Sequence, residues 1–255
     1  MTEIASEGER FRVKVDGPDD APVILMSHSL GCDLTMWDDV VPALAQSYRV
    51  VRYDTRGHGE SVVVDRPTSI AELADDALAI LNELGVERAH FVGLSMGGMI
   101  GQWLLRHAPE RLDRVVLCNT SAKLGPPQMW NERIRTARKD GMRALLDATM
   151  QRWFTPEFRA ENNEGLARIA KMYETTSPAG FASCCAAIRD MDQRWPLRDA
   201  IGDVTVLIGA RDPGTTPEMG ALIAAAIPGA RLVSVDTAHI SVVERPDQVA
   251  AAILA

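Results

Sequence analysis

The chain alternates between short apolar runs and longer segments in which apolar residues recur every three to four positions. The short runs predict β-strands, and the segments with helical spacing predict α-helices. Residues 10–15 alternate apolar with polar, whereas 23–26 is continuously apolar, as expected of a buried parallel strand. The predicted strands are 10–15, 23–26, 49–54, 89–92, 114–118, 204–208 and 231–235, interleaved with helical patterns over 34–44, 70–84, 96–107, 218–226 and 246–253. This order predicts an α/β protein with a mostly parallel central sheet flanked by helices.

The strand pattern is missing between residues 126 and 195. Apolar residues recur there at helical spacing in four stretches, which begin near Ile134, Met142, Leu166 and Phe181. A helical block inserted between the strands of an α/β sheet is typical of a cap over an active site. The sequence therefore predicts three segments: the first part of a core (1–125), a helical cap (126–195) and the second part of the core (196–255).

The sequence Gly93-Leu94-Ser95-Met96-Gly97 stands between a predicted strand and a predicted helix. A serine on such a strained turn needs neighbours without bulk two positions before and two positions after it, which the glycines supply. The turn would hold the Ser95 hydroxyl clear of the sheet edge, and the helix behind it would offer free N–H groups to a developing oxyanion. We interpret Ser95 as a nucleophile; the alternative is a glycine-rich turn with an incidental serine.

A serine nucleophile needs a base, and the base needs a carboxylate to orient it. Asp212 follows the strand 204–208 and His239 follows the last strand, so both should lie at the same sheet edge as Ser95. We predict His239 as general base and then acid, and Asp212 as the group that orients it. The alternatives are that Asp212 only starts a turn, that Asp236 is the acid, or that His239 is an ordinary loop histidine. The other histidines are interpreted as structural: His28, His58, His90 and His107.

An oxyanion needs two backbone N–H donors, one directly after the nucleophile and one in the loop after strand 23–26. Met96 follows the nucleophile, and Leu30 is the predicted donor in the loop, with Ser29 as the alternative. Gly31 would let the backbone turn in toward the site. The sequence thus predicts an oxyanion hole made by the N–H groups of Leu30 and Met96.

Composition narrows the classes of function. The chain has 255 residues, of which 46% are hydrophobic and 24% charged, as in an ordinary globular enzyme. Its net charge of −8 argues against nucleic acid and anionic membranes as partners, although a local arginine can hold a small anion. The first residues lack the features of a signal peptide, and no apolar run is long enough to span a bilayer. Four cysteines without metal-type spacing favour reduced thiols in a cytoplasmic protein: Cys32, Cys118, Cys184 and Cys185.

Several motifs carry a resemblance to a known family. They are Ser27-His28-Ser29-Leu30-Gly31 with Trp37, Asp54 to Gly59 with Ser61, Gly93 to Gly98, Gly209 to Asp212, and His239. Over nearly its full length the chain resembles the α/β-hydrolase superfamily, which implies that fold with an all-helical cap inserted after the sixth strand. Looser strings resemble the 3-oxoadipate enol-lactonases of the β-ketoadipate pathway: 29–37, 108–111 with Asn119-Thr120, and 184–192. Departures from the pattern at 62–64 and 211–216 bear on substrate preference more than on the chemistry.

The resemblance implies a serine hydrolase that opens the enol-lactone of 3-oxoadipate to 3-oxoadipate through an acyl-enzyme, without a metal or organic cofactor. The free carboxylate of this small substrate needs a cation, for which the predicted cap offers Arg133 beside Trp130, and Arg189. We therefore predict these three as substrate-binding residues. Rival interpretations are a carboxylesterase or perhydrolase-like enzyme of the same fold, and a non-catalytic protein that binds a small ligand under the cap. The sequence predicts no oligomeric state.

Overall fold

A central sheet organises the computed structural model, which describes residues 2–6, 9–161, 164–194, 196–200 and 202–255. Its strands are β1 (Thr2–Ser6), β2 (Glu9–Asp16), β3 (Val23–Ser27), β4 (Arg49–Tyr53), β5 (Ala89–Leu94), β6 (Leu112–Cys118), β7 (Asp203–Gly209) and β8 (Arg231–Val235). They are ordered β1-β2-β4-β3-β5-β6-β7-β8 across the sheet. The β1–β2 and β2–β4 pairs are antiparallel, and the remaining neighbours are parallel. The predicted mostly parallel sheet is therefore confirmed.

Helices connect most of the strands. They are α1 (Val41–Leu44), α2 (Ile70–Glu83), α3 (Met96–His107), α4 (Pro127–Asp140), α5 (Arg143–Trp153), α6 (Pro156–Ala160), α7 (Glu164–Thr175), α8 (Pro178–Asp190), α9 (Pro217–Ala226), α10 (Ser241–Glu244) and α11 (Pro246–Leu254). Helix α2 begins at a capping box, in which Ser69 Oγ accepts from Glu72 N and the Glu72 carboxylate accepts from Ser69 N. Helix α3 packs on β5 and β6, and α9 packs on β7.

Several elements differ from the sequence expectation, which also lacks the short helices α6 and α10. Strand β1 is absent from the prediction because it is short and polar; it pairs with β2 so that Ile4 lies opposite the buried Phe11. The predicted helix over 34–44 is split into a 3₁₀ turn (Leu34–Trp37) and the short α1. Asp33 caps the 3₁₀ turn, and Pro42 stands in the first turn of α1, where its missing N–H costs nothing.

The loops that follow the parallel strands open at one edge of the sheet. The register places Ser27 opposite Gly93, Leu94 opposite Cys118, and Gly209 opposite Val235. The chain segments that leave β3, β5, β6, β7 and β8 at this edge include the predicted site residues near positions 30, 95, 212 and 239. Carboxyl ends of parallel strands form the usual ligand-binding edge of open α/β sheets.

Between β6 and β7 the chain forms the helices α4 to α8, and the described part of 126–194 contains no strand. Helix α4 packs on α8. Helix α8 approaches the loop after β4 so closely that a Cβ on Gly180 would overlap the Gly57 backbone. The division into core and cap stays a prediction, and its second boundary falls on residue 195, outside the described residues. Among the described residues, no helix is long and apolar enough to cross a membrane.

All four cysteines are free and buried. Burial raises the pKa of Cys118 and Cys184 to about 12. Burial also raises the pKa of Cys32 and Cys185 above its ordinary value. These thiols therefore stay protonated at neutral pH. Because the thiolate is the reactive form, they are unreactive in the folded protein.

Candidate active site

Ser95 occupies a strained turn between β5 and α3. Its backbone has φ 58°, one of two positive φ values among the described non-glycine residues. Ser95 N donates to Cys118 O at 2.9 Å, and Thr120 Oγ1 donates to Ser95 O at 2.8 Å. A Cβ on Gly93 would overlap Gly97 O, so the glycines before and after the serine are required by close backbone packing. The local geometry is that of a nucleophile elbow.

Asp212 is buried and accepts hydrogen bonds on both carboxylate oxygens. Its Oδ2 accepts from His239 Nδ1 at 2.7 Å, Thr215 Oγ1 at 2.7 Å and Asn119 Nδ2 at 3.1 Å. Its Oδ1 accepts from Gly214 N at 2.8 Å, so the residue also closes the turn that was an alternative explanation for it. Burial alone would raise its pKa, but the His239 ring and these donors together hold the pKa of Asp212 below its ordinary value.

His239 lines the same cavity as Ser95 and bonds to Asp212 through its ring. Because the Asp212 carboxylate can only accept, the proton of the neutral ring belongs on Nδ1, which leaves Nε2 free to act as a base. The ring stacks against Trp153 with centroids 5.9 Å apart, and His239 N donates to Trp153 O at 3.0 Å. The rival acid Asp236 is largely exposed and pairs with Arg211 Nε at 2.9 Å. Asp212, and not Asp236, is thus the carboxylate hydrogen-bonded to this histidine.

Two buried histidines hold the loop of the predicted oxyanion hole. Gly31 N donates to His58 Nε2 at 2.9 Å, and His28 Nδ1 donates to Ser29 O at 2.8 Å. Burial lowers the pKa of both rings, that of His58 to about 3, so both are neutral near pH 7. Leu30 lines the same cavity as Ser95. Met96 begins α3, where the first N–H groups have no partner within the helix.

A cavity of about 240 Å³ adjoins Ser95 and His239. The helical segment contributes Trp130 and Arg133 from α4 and Arg152 from α5 to its wall. The Arg133 guanidinium lies 4.8 Å from the centre of the Trp130 ring, and Trp130 Nε1 donates to Leu124 O at 2.7 Å. The rest of the wall is largely apolar and includes Leu124, Met129, Ile188 and Met219.

The two arginines bring uncompensated positive charge into this cavity. Burial and the charge of Arg133 both lower the pKa of Arg152, and no carboxylate contributes to that shift. Within the described ranges, neither guanidinium forms an ion pair with a carboxylate. Two like charges held together at a partly buried surface favour an anionic ligand between them.

Arg189 is not part of this cavity, contrary to the sequence prediction. Its guanidinium donates two hydrogen bonds of 2.7 Å to the Asp190 carboxylate and one of 2.8 Å to Asn131 Oδ1. Ile188, the preceding residue of α8, lines the cavity instead. Neighbouring residues of a helix point about 100° apart, so only one of the two can face the site.

A family model described as alpha/beta hydrolase fold matches residues 22–246. This chain belongs to the alpha/beta hydrolase fold family. The 3-oxoadipate enol-lactonase 2 of Acinetobacter baylyi is 38% identical to it over 230 residues, which are 90% of this chain and 86% of the relative. Its membership of this family and its similarity to proteins named enol-lactonase make the chain a hydrolase.

Solved structures place the α/β hydrolase among enzymes of two related kinds. The crystal structure of the enol-lactonase from Burkholderia xenovorans LB400 matches with a TM-score of 0.97 and 40% identity, covering 99% of this chain and 98% of that chain. A thermophilic esterase from Thermogutta terrifontis, solved with malate bound, matches with a TM-score of 0.92 and 26% identity, covering 99% of this chain and 96% of that chain. One of these neighbours is thus named an enol-lactonase and the other an esterase.

The structure of the α/β hydrolase adds site residues that the sequence analysis did not select. Asn119 directly follows β6, and its position at the carboxyl edge was a usable signal. Thr215 stands three residues after Asp212 in the same loop. Arg152 and Trp153 end α5, and Glu244 ends α10; no local pattern marks them, since their place depends on how the helical segment packs on the core.

Proposed function

We propose that Ser95, His239 and Asp212 form a catalytic triad that opens the enol-lactone of 3-oxoadipate. The observation that carries this proposal is the pair of uncompensated arginines, Arg133 and Arg152, in the wall of the cavity beside Ser95. A lactone bearing a carboxylate would be held there, with its ring directed at the serine. The similarity to relatives named enol-lactonase supports the same substrate.

The proposed reaction begins with attack by the serine. Ser95 Oγ attacks the lactone carbonyl while His239 Nε2 takes the hydroxyl proton, and Asp212 stabilises the resulting imidazolium. The N–H groups of Leu30 and Met96 would receive the carbonyl oxygen as it becomes negative, each donor contributing about 3 kcal/mol to the transition state. The ring C–O bond then breaks as the His239 imidazolium gives its proton to the leaving enolate oxygen, and the enol so formed becomes a ketone.

The second half of the reaction releases the product. The ring-opened ketone stays attached to Ser95 as an ester. His239, again neutral, takes a proton from a water molecule, whose oxygen attacks the ester carbonyl, and the proton then returns to Ser95 Oγ. The product is 3-oxoadipate, with a new carboxylate at the former lactone carbonyl. The residues required for both steps belong to this chain.

The helices between β6 and β7 would act as a cap over this chemistry. They supply both arginines and Trp130 to the cavity wall, while the core supplies the triad and the oxyanion loop. Under this proposal the cap determines which ester is accepted, and the core determines how it is cleaved. The chain segments 1–125, 126–195 and 196–255 would then correspond to core, cap and core.

The decisive experiment compares hydrolysis of 3-oxoadipate enol-lactone with that of p-nitrophenyl acetate, using Ser95→Ala as the control. We expect kcat/KM for the lactone to exceed that for the neutral ester by orders of magnitude, and Ser95→Ala to abolish both reactions. An active Ser95→Ala variant would exclude the triad. A protein that binds the lactone without hydrolysing it would be a ligand-binding member of the family.

A second candidate is a carboxylesterase or perhydrolase-like enzyme that uses the same triad. The observation that favours it is the largely apolar remainder of the cavity wall, which suits the acyl group of a neutral ester. Under this alternative the neutral ester would be preferred, and removal of the arginines would leave its turnover unchanged.

A further inference from the structure

Glu244 is a buried carboxylate on which two separate parts of the molecule converge. It ends the short helix α10 and has a relative exposure of 5%. Its Oε2 accepts from Ala238 N at 2.6 Å. Its Oε1 accepts from Thr155 N and from Thr155 Oγ1, both at 2.7 Å. Three donors on two oxygens satisfy a carboxylate well, and charge-assisted bonds of this length are among the stronger hydrogen bonds in proteins.

The two groups of donors belong to segments that are far apart in the chain. Ala238 immediately precedes His239 in the loop after β8, whereas Thr155 follows the end of α5 in the helical segment. The same two pieces of chain are also joined at Trp153, whose carbonyl accepts from His239 N at 3.0 Å and from Ile240 N at 3.1 Å. The N–H groups of His239 and Ile240 are thus bonded directly to Trp153, and Ala238 N is linked to Thr155 through the Glu244 carboxylate.

The core holds the histidine loop at other points: the His239 ring donates to Asp212 Oδ2 at 2.7 Å, and Arg211 N donates to Thr237 O at 2.9 Å. Asn119 Nδ2 donates to Ala238 O at 3.1 Å, and Ser241 Oγ donates to Asn119 Oδ1 at 2.7 Å. The N–H groups of 238, 239 and 240 all donate to Glu244 or to the end of α5. Asp212 therefore holds the ring, whereas the backbone that carries the ring is held by the end of α5, and Glu244 is the carboxylate that links Ala238 to Thr155.

We propose that Glu244 is a positioning residue that aligns His239 by tying its loop to the end of α5. This proposal rests on the proposed function, since it takes His239 as the general base. It assigns Glu244 no contact with the substrate. Its consequence is that the helices contributing Arg152 to the cavity also set the alignment of the base, so binding and proton transfer share one structural support.

The test is Glu244→Gln, which keeps the volume but cannot accept at both ends of the side chain. Its amide nitrogen must face either Ala238 N or the Thr155 donors, so one contact is replaced by a repulsion between two donors. We expect kcat for p-nitrophenyl acetate to fall about 10- to 100-fold through misplacement of the base, with KM within about twofold of the wild type. We also expect the downfield proton resonance of the His239–Asp212 hydrogen bond to broaden or disappear.

A pair of variants at Thr155 tests the same contact if Glu244→Gln does not fold. Thr155→Val removes one donor to Glu244 and should lower kcat about fivefold, the equivalent of one ordinary hydrogen bond. Thr155→Ser keeps the hydroxyl and should restore kcat. Asp76→Asn is the matched control, because Asp76 is equally buried and pairs with Arg56 away from the cavity. It should lower the melting temperature while kcat per folded molecule stays unchanged.

The outcomes separate this proposal from the proposed function. If wild-type protein lacks Ser95-dependent hydrolysis, the proposed function fails, and the proton resonance still reports on Glu244. An intact resonance and unchanged kcat in Glu244→Gln would overturn the positioning role. So would a loss of activity that merely parallels the loss of folded protein, as in Asp76→Asn, with the resonance unaltered.

Discussion

Removing the charge of one cavity arginine should damage lactone hydrolysis while sparing neutral esters. The perturbation is Arg152→Met or Arg133→Met, since methionine retains an apolar stem and removes the guanidinium. In the structure both guanidinium groups line the cavity without a carboxylate partner among the described residues. A ligand carboxylate would therefore meet two donors whose charge is not already neutralised.

The size of the effect follows from one charge-assisted hydrogen bond. Such a bond contributes about 1.5–3 kcal/mol, and its loss corresponds to a decrease of about 10- to 150-fold in kcat/KM for the lactone. The stability of the ligand-free protein, in contrast to its activity, should not be damaged by the same change. Because burial and Arg133 both disfavour the charged form of Arg152, Arg152→Met removes an unfavourable charge and should keep or raise the melting temperature.

The assay measures kcat/KM for 3-oxoadipate enol-lactone and for p-nitrophenyl acetate in parallel, at two salt concentrations. We expect only the lactone reaction to weaken in the variants and to weaken with salt in the wild type, because screening acts on charge attraction. Arg189→Met is the matched control, since that arginine belongs to the same helical segment but pairs with Asp190 outside the cavity. Lactone kcat/KM within twofold of wild type in both cavity variants would refute the reasoning.

Two further predictions concern the groups that hold the triad and the oxyanion loop. Asp212→Asn should lower kcat about 10⁴-fold, because the amide no longer fixes the proton on His239 Nδ1. The pKa of Asp212 is lowered in the folded protein, so the stability it contributes is present above its ordinary value of 3.8 and lost as pH falls below it. In Asp212→Asn, circular dichroism should therefore show a smaller loss of stability below pH 3.8 than in the wild type. The same loss of stability in both proteins would contradict this prediction. His58→Ala leaves Gly31 N without its partner and should lower kcat about tenfold at constant KM. The pKa of His58 is lowered from 6.5 to about 3, so the unfolded chain binds the extra proton and stability falls as pH drops through that window. The stability of His58→Ala should therefore fall less steeply with decreasing pH than that of the wild type, and a variant of an exposed histidine, His107→Ala, is the control. An unchanged slope in His58→Ala would show that His58 is not held neutral in the folded protein.

The parts of the site that follow from local sequence were predictable. The elbow around Ser95 needs glycines at fixed offsets, and the structure shows the close backbone packing that requires them. Asp212 and His239 each follow a strand of the parallel sheet, so chain order alone brought them to one edge. Their hydrogen bond at 2.7 Å agrees with the geometry expected of an acid and a base in a triad.

The parts that depend on packing between helices were not predictable from pattern. Arg189 and Arg152 are both arginines on helices of the same segment, and nothing local distinguishes them. Helix α8 turns Ile188 toward the cavity because its buried face is set by contact with α4 and with Gly57. Strand β1 was not predictable for a related reason, because it is formed by pairing with β2 and has no hydrophobic pattern of its own.

The low reactivity of the four buried thiols has a practical consequence for spectroscopy. Because all four native cysteines are buried and protonated at neutral pH, they should not react with alkylating dyes in the folded protein. A single cysteine introduced at the exposed Leu222 would then be the one fast-reacting thiol, without any need to remove the native ones. A second introduced thiol on α4 would complete a donor–acceptor pair, and fluorescence energy transfer could then follow the separation of helices α4 and α9 during turnover.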